Sequence, residues 1–459
     1  MTDDVLRLAA QRATAYLDGI DARPVRPDPD AVARLGELGG PFPDGPTAPE
    51  RVIAMLDEVA GPATMAMGSP RFFGFVIGGA LPVTTAANWL ATAWDQNTGF
   101  YHSTPSTAML EQHALAWILD ALGLPPGCAG GYVTGATVAN FTALAAARHA
   151  LYARAGWNVE ADGMIGAPKI TVVAGAEMHP SARKALGMLG FGRNTAVEVP
   201  VDDQGRMRAD ALPDVAGPML VVTQAGNVNT GSFDPIGEIC EWAHARGGWV
   251  HVDGAFGLWA AAAPERRHLV RGVERADSWA TDAHKWLNVP YDSGLAIVRE
   301  PDTLRAAMAM TAAYLPAESE RDPASYTPEL SRRARGVEVW AALKSLGRSG
   351  LADLIERCCR HATRFAEGLS AAGYRVLNDV VLNQVLVSFG DDETTRRAVA
   401  AIQEDGTCWA GITVWQGQTA MRISVSNWAT TEDDVERSLA AMIRCAKQAA
   451  ATPVGGEGG

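Results

Sequence analysis

Hydrophobic and polar positions along this chain follow two alternating rhythms. Short runs rich in β-branched and aromatic residues end at a glycine or a polar turn, and longer stretches with apolar residues three and four apart follow them. The first rhythm predicts strands over 130–133, 169–174, 219–223, 249–252 and 277–281. The second predicts helices over 140–154 and 235–246. A further helix opens at Thr104 and Pro105, carries Leu110, Ala114, Trp117 and Ala121 on one face, and ends at Gly123 and Pro125. Strands and helices taking turns in this way read as an α/β fold.

The two ends are patterned differently. Residues 1–20 place Val5, Leu6, Leu8, Ala9, Ala13 and Leu17 near helical spacing, and a Pro/Gly-rich extended stretch follows through 23–29 and 39–43. Residues 314–328 are charged, carry three prolines and show almost no apolar periodicity, which predicts a mobile loop. Beyond 337–340 a long helix leads to strands over 383–389 and 421–426, a helix over 431–445 and a disordered tail over 453–459. The expected division is an N-terminal arm over 1–100, a large domain over 101–312, the loop over 313–330 and a small α/β domain over 331–459.

Composition narrows the partners. A formal net charge of −13 argues against nucleic acid and anionic membrane surfaces, neither of which rewards an acidic protein. The first twenty residues lack a basic start with an apolar run, and no apolar stretch is long enough to span a bilayer. The six cysteines form no C-x-x-C pair and read as reduced thiols of a cytoplasmic protein, with Cys358 and Cys359 packed on a helix.

Two stretches carry the chemistry. Trp249-Val250-His251-Val252-Asp253-Gly254 leaves a carboxylate at the C-terminal edge of a buried strand, where open α/β sheets hold ligands. Some thirty residues on, Thr281-Asp282-Ala283-His284-Lys285-Trp286 places a lysine at the end of another strand. A carboxylate and an amine on neighbouring strand ends suit pyridoxal 5′-phosphate (PLP). The amine condenses with its aldehyde, and the carboxylate keeps the pyridine nitrogen protonated, so that the ring draws electrons. Singly, such residues are more often turn formers or solvated cations; together and in this order they point to the cofactor. A metal reading of His251, Asp253 and His284 lacks an HExxH or a Cys/His cluster, so no metal is expected. Gly130 to Asn140 reads as a strand, a small-residue turn and a helix start, whose free N–H groups and positive dipole end suit a phosphate. It is neither a Walker A loop nor a dinucleotide fingerprint.

With these elements, HVDGAFG followed by TDAHKW, the chain resembles the group II PLP-dependent decarboxylases, among them the aromatic amino acid and glutamate enzymes, over about 71–427. The resemblance implies PLP-dependent fold type I, aspartate aminotransferase-like: a mostly parallel sheet of the seven-stranded type in the large domain, the N-terminal arm and the small C-terminal domain. It implies a homodimer with its active site at the subunit interface, and decarboxylation of an L-amino acid to the amine and CO2.

Residue by residue, the resemblance gives Lys285 the cofactor linkage and Asp253 the ring nitrogen. His179, in Ala-x-x-His-x-Ser, stacks on the ring, and Gly135, Ala136 and Thr137 hold the phosphate. Asn227 stands near the ring hydroxyl, while Ala255 and His284 complete the cofactor's surroundings. Phe72 and Phe73 lie in an aromatic loop by the substrate, and Phe100 lines the partner's pocket, which suits an apolar or aromatic substrate; a single basic residue from the partner chain would instead select an acidic one. Tyr326, with Tyr314 as the alternative, protonates the carbon that CO2 leaves. Asp282 stands where the animal enzymes usually have asparagine. Repulsion from a phosphate dianion predicts that it points away or bonds a backbone donor. Transamination, decarboxylative oxidation to an aldehyde and aldol-type cleavage use the same cofactor and stay open at this point. A binding protein that has lost the chemistry is disfavoured by Asp253, His179 and Lys285 occurring together.

Overall fold

The structure is a computed structural model and describes residues 2–310 and 320–451. Tyr314 therefore lies outside the described residues. The chain forms two compact units, one of 78–363 with 378–385 and one of 1–77, 364–377 and 386–459. This division departs from the expected arm, large domain and small domain. Residues 331–363 belong to the larger unit, and 1–77 are compact with the C-terminal residues. Backbone pairing and one ion pair explain the second difference. The Val25 N–H donates to the Gly406 carbonyl at 2.8 Å, and the Val25 carbonyl accepts from Ala66 at 2.9 Å. Arg71, buried, reaches Asp434 at 3.0 Å and the Thr407 carbonyl at 2.9 Å.

The larger unit is built on a seven-stranded sheet. Its strands are β1 (Ala129–Val133), β2 (Thr171–Gly175), β3 (Val197–Val199), β4 (Met219–Gln224), β5 (Trp249–Asp253), β6 (Ser278–Asp282) and β7 (Gly294–Val298). The order is β1-β7-β6-β5-β4-β2-β3. Pairs from β3 through β6 are parallel, while β7 runs antiparallel to both β6 and β1. Strands β1 and β4 to β7 are buried along their whole length, which is why they read as continuous apolar runs rather than alternating ones.

The helix Ala136–Arg154 covers one face, and its buried alanines at 139, 143, 146, 147 and 150 let it lie close to the strands. It starts four residues earlier than its apolar pattern suggests, directly after Gly135. The helix Pro105–Leu122 begins where expected and is closed by Gly123 at φ 65°. Thr104 does not cap it; its hydroxyl turns back to the Phe100 carbonyl at 2.9 Å. The buried side of this helix runs through Ala108, Glu111, Leu115, Ile118 and Leu122, rotated from the predicted face because Glu111 is held in a buried ion pair.

A second sheet has the order β10-β11-β9-β8, from Gly411–Trp415, Gln418–Ser424, Gln384–Ser388 and Arg375–Val376. All six cysteines are buried and none forms a disulfide, Cys358 and Cys359 among them. Among the described residues no helix is long and apolar enough to cross a membrane, and no His/Cys/Asp/Glu cluster could hold a metal.

Candidate active site

The sheet brings the C-terminal ends of β2, β4, β5 and β6 side by side, and each end delivers one functional group. Asp253 closes β5 and is the register partner of Gln224 on β4 and of Ala280 on β6. The pairing continues past the strands: Gly254 donates to the Ala280 carbonyl and Asp282 to the Ala255 carbonyl, both at 2.9 Å. These bonds hold the turn after Asp253 against the turn that carries Lys285. Throughout 278–289 every residue is buried except Lys285, whose side chain is 19% exposed, and Ala255 is likewise partly buried within 249–263. The amine is thus presented from an otherwise closed wall. A side chain at Gly78 would come within 2.0 Å of the Lys285 carbonyl, so that close approach requires glycine.

His179 follows β2 and caps the helix Pro180–Met188. Its Nδ1 accepts from the Ser181 N–H at 3.2 Å, which places the proton of the neutral ring on Nε2. Its own N–H donates to Gln224 Oε1 at 3.1 Å, and Gln224 Nε2 donates to the Glu177 carbonyl at 3.0 Å. Gln224, a residue the sequence did not single out, therefore ties the histidine loop to the strand beside Asp253.

Asp282 is the largest departure from expectation. Its carboxylate, 2% exposed, neither points away nor bonds a backbone donor; Oδ2 pairs with Lys285 Nζ at 3.0 Å. Its Oδ1 is buried without a hydrogen-bond partner, 3.7 Å from His284 Nε2. His284 Nδ1 accepts from the Ser293 N–H at 3.1 Å, and the ring stacks on Tyr291 at 4.3 Å. Burial lowers the His284 pKa, with Asp282 pulling the other way.

The groups present fit PLP. The helix Ala136–Arg154 opens without a side-chain cap, so its first N–H groups are left for a phosphate. A Cβ at Gly135 would meet His284 Cε1 at 3.0 Å and Asp282 Oδ1 at 3.4 Å, so only glycine leaves that cradle open. Asp253, 5% exposed, accepts from Asn140 Nδ2 at 3.0 Å on Oδ2, while Oδ1 takes only a long 3.3 Å bond from the Ala255 N–H. One carboxylate oxygen thus retains capacity for a ring N–H. In the cofactor-free protein the Asp282 carboxylate beside the cradle is balanced by the Lys285 ammonium.

The other expected residues have contacts of their own within the chain. Asn227 uses Oδ1 to bond the N–H groups of Asn229 at 2.8 Å and Thr230 at 3.3 Å, holding its own turn. Phe72 and Phe73, both buried, pack within the smaller unit: Phe72 stacks on Trp409 at 5.1 Å and Phe73 meets Phe365 edge-on at 5.0 Å. Phe100 is half-buried and faces a small cavity lined by Met308, Ala324 and Leu330. The Tyr326 ring is partly buried against the core of the larger unit, with the Arg321 guanidinium 4.2 Å from its centroid. That packing anchors its segment within this chain. Tyr326→Phe keeps both contacts, so it separates packing from chemistry: a loss of about tenfold or more in kcat in a folded variant is expected if the hydroxyl is the acid, and amine output within about twofold of the parent would leave only the anchor.

Burial pushes the His251 pKa down to about 4, against a smaller opposing effect of Asp253. The unfolded chain binds the proton near pH 6.5 and the folded one only near 4, so this group's stabilisation is lost as pH falls through that window. Buried Asp234, raised to about 6 by desolvation, has the opposite slope over much of the same range. The informative quantity is thus a difference between two proteins that share Asp234. Relative to His251→Gln, the parent should lose roughly 2–3 kcal/mol of stability between about pH 7 and pH 4. Urea unfolding of the PLP-free proteins measures it, and a flat difference would mean that His251 is not buried as the neutral ring.

Comparison with known proteins agrees with this geometry. Residues 41–389 match the model described as the pyridoxal-dependent decarboxylase conserved domain. The chain is 28% identical to L-2,4-diaminobutyrate decarboxylase of Rhizobium meliloti (strain 1021), over 86% of this chain and 82% of that protein. It is 30% identical to aromatic-L-amino-acid decarboxylase of Bos taurus, over 74% of each. The fold matches the crystal structure of Oryza sativa TDC with PLP and tryptamine at a TM-score of 0.90 and 22% identity, over 97% of this chain and 98% of that one. A lysine and an aspartate on adjacent strand ends, a glycine-lined helix start beside them and a family match over most of the length make one case: the chain belongs to the pyridoxal-dependent decarboxylase family and is a PLP-dependent amino acid decarboxylase.

Proposed function

We propose that the substrate is an L-amino acid with an apolar or aromatic side chain, and that Lys285, Asp253, His179, His284, Ala255 and the Gly135-Ala136-Thr137 cradle form the working site. When bound, PLP supplies an electron-accepting ring on which the bond from Cα to the carboxylate can break. The chain's own residues prepare that event. Lys285 offers a partly exposed amine from an otherwise buried stretch, and Asp282 at 3.0 Å keeps it oriented. Asp253 holds a proton on the ring nitrogen, and His179, braced by Ser181 and Gln224, supplies the covering ring.

The observation that carries the substrate class is the state of the basic segment 332–335. Arg332 is paired with Glu111, Arg333 with Glu338 and Arg335 with Asp292 at 2.8 Å. These cations are neutralised within the chain, so the segment does not offer a counter-charge to an acidic side chain. A homodimer completes the reading: Trp89, Leu90 and Trp94 on the helix Pro82–Trp94 are 43%, 53% and 45% exposed, an apolar face suited to a second copy.

The test is a panel of phenylalanine, tyrosine, tryptophan, leucine, glutamate, aspartate and 2,4-diaminobutyrate, offered to the PLP-loaded protein with CO2 and amine detection. Amine from the first four supports the proposal. Amine from glutamate, aspartate or diaminobutyrate alone overturns it while keeping the decarboxylase.

A further inference from the structure

Behind Asp253 lies a line of polar groups with no route to solvent: Asn140, His251 and Ser278 are fully buried and Trp249 is 1% exposed. Trp249 Nε1 meets Ser278 Oγ at 2.9 Å, and Ser278 Oγ meets His251 Nδ1 at 2.9 Å. His251 Nε2 meets Asn140 Oδ1 at 2.8 Å, and Asn140 Nδ2 meets Asp253 Oδ2 at 3.0 Å.

Chemistry fixes the direction of every bond. An indole nitrogen only donates, so Ser278 accepts from Trp249 and its single hydroxyl proton goes to His251 Nδ1. An ionised carboxylate only accepts, so the Asn140 NH2 group faces Asp253 and its carbonyl faces His251. The imidazole is left between a donor at Nδ1 and an acceptor at Nε2, which selects the neutral ring protonated on Nε2. An imidazolium would give Ser278 Oγ a second donor and leave its buried hydroxyl proton without His251 as acceptor, which disfavours the charged ring. Burial of the ring in this setting also keeps its pKa low, at about 4.

We infer that Trp249, Ser278, His251 and Asn140 form a one-way hydrogen-bond relay that holds Asp253 as a charged, oriented acceptor for the cofactor's ring nitrogen, with Asn140 and His251 as positioning residues. Each donor points toward Asp253, so each bond polarises the next in the same sense and stabilises the carboxylate. The ring nitrogen then meets a fixed anion instead of a group that must first turn or lose a proton. The sequence places these residues on three elements, the helix Ala136–Arg154, β5 and β6, and the registers His251↔Ser278 and Asp253↔Ala280 bring them into line.

The proposal deepens the PLP reading, and its first test needs no cofactor. Nitrogen NMR of the PLP-free protein with 15N-labelled histidine should show His251 as the neutral Nε2–H tautomer from about pH 5.5 to about pH 8.5. An Nδ1–H tautomer, a mixture or an imidazolium in that range would overturn the relay whatever the enzyme does. Ser278→Ala should leave the Nε2–H tautomer in place, because Asn140 Oδ1 still demands a donor, whereas Asn140→Leu, which removes that demand, should let the two tautomers mix; an unchanged single tautomer in folded Asn140→Leu would count against the relay.

The second test uses 15N-labelled PLP. Asn140→Leu should raise the PLP dissociation constant at least about tenfold, the scale expected for a lost bond to a charged group. It should also move the ring-nitrogen shift toward the unprotonated form. A folded Asn140→Leu protein with both values unchanged would end the proposal. Loss of PLP binding in the parent protein would instead sink the cofactor reading and leave the tautomer result standing.

Discussion

Lys285→Met should abolish amine release, lowering kcat by at least about three orders of magnitude, because no other group of the site replaces a covalent amine. The methionine keeps the length of the side chain, so the fold and the Asp253 end of the site are preserved. PLP should still bind but be removed by gel filtration, and the visible band of the lysine-linked cofactor should be missing. The change also acts on the protein without cofactor. Asp282 Oδ1 already lacks a partner, and the substitution takes away the 3.0 Å contact to Oδ2. A buried carboxylate with neither oxygen paired should lower stability by about 1–3 kcal/mol. Lys285→Met with Asp282→Asn should recover much of that loss and none of the activity. A single variant that kept a tenth of the parental kcat would remove Lys285 from its role, and unchanged stability would remove the ion pair.

What could be read from the chain follows from how local each signal is. Asp253 and Lys285 each end a strongly apolar run, so a polar group at a strand edge is visible without any knowledge of the neighbours. The order of the strands is another matter. The antiparallel β7 is a short apolar run, GLAIV, like any other in the sequence, yet it lies between β1 and β6 and gives the Gly135 turn its place beside Asp282. Asn140 was legible only as part of a small-residue motif. Its partnership with Asp253 needs the helix to begin at Ala136, which turns position 140 toward the sheet. Phe72 and Phe73 show the opposite limit: a run of aromatics does not reveal from the sequence that the rings pack on Trp409 and Phe365. Tyr326 is similar, because a tyrosine beside a basic segment does not reveal that Arg321 stacks on its ring.

Glu111→Ala should be the most destabilising single substitution considered, by about 3–5 kcal/mol, and its cause was hidden from the sequence for the same reason. A glutamate within an amphipathic helix is ordinarily placed on the solvent side. Here both Glu111 and Arg332 have fully buried side chains, with Arg332 Nη1 on Oε1 at 2.8 Å and Nη2 on both carboxylate oxygens. Removing the carboxylate strands a guanidinium whose Nε already has no hydrogen-bond partner. The damage would spread, because the Arg332 carbonyl accepts from Thr98 and its N–H donates to Asn97 Oδ1, both at 3.0 Å, which fastens the 97–98 turn to the basic segment. The double variant Glu111→Leu with Arg332→Met separates attraction from desolvation. It removes both charges at similar volume, so it should lie well above Glu111→Ala in urea-unfolding midpoint and could equal or exceed the parent. If the double variant were as weak as the single one, the pair would be a net source of stability. If Glu111→Ala lost less than about 1 kcal/mol, the charges would not be buried as a pair at all. The expected pattern, a weak single and a robust double, would mean that the pair fixes which helix face turns inward more than it holds the unit together.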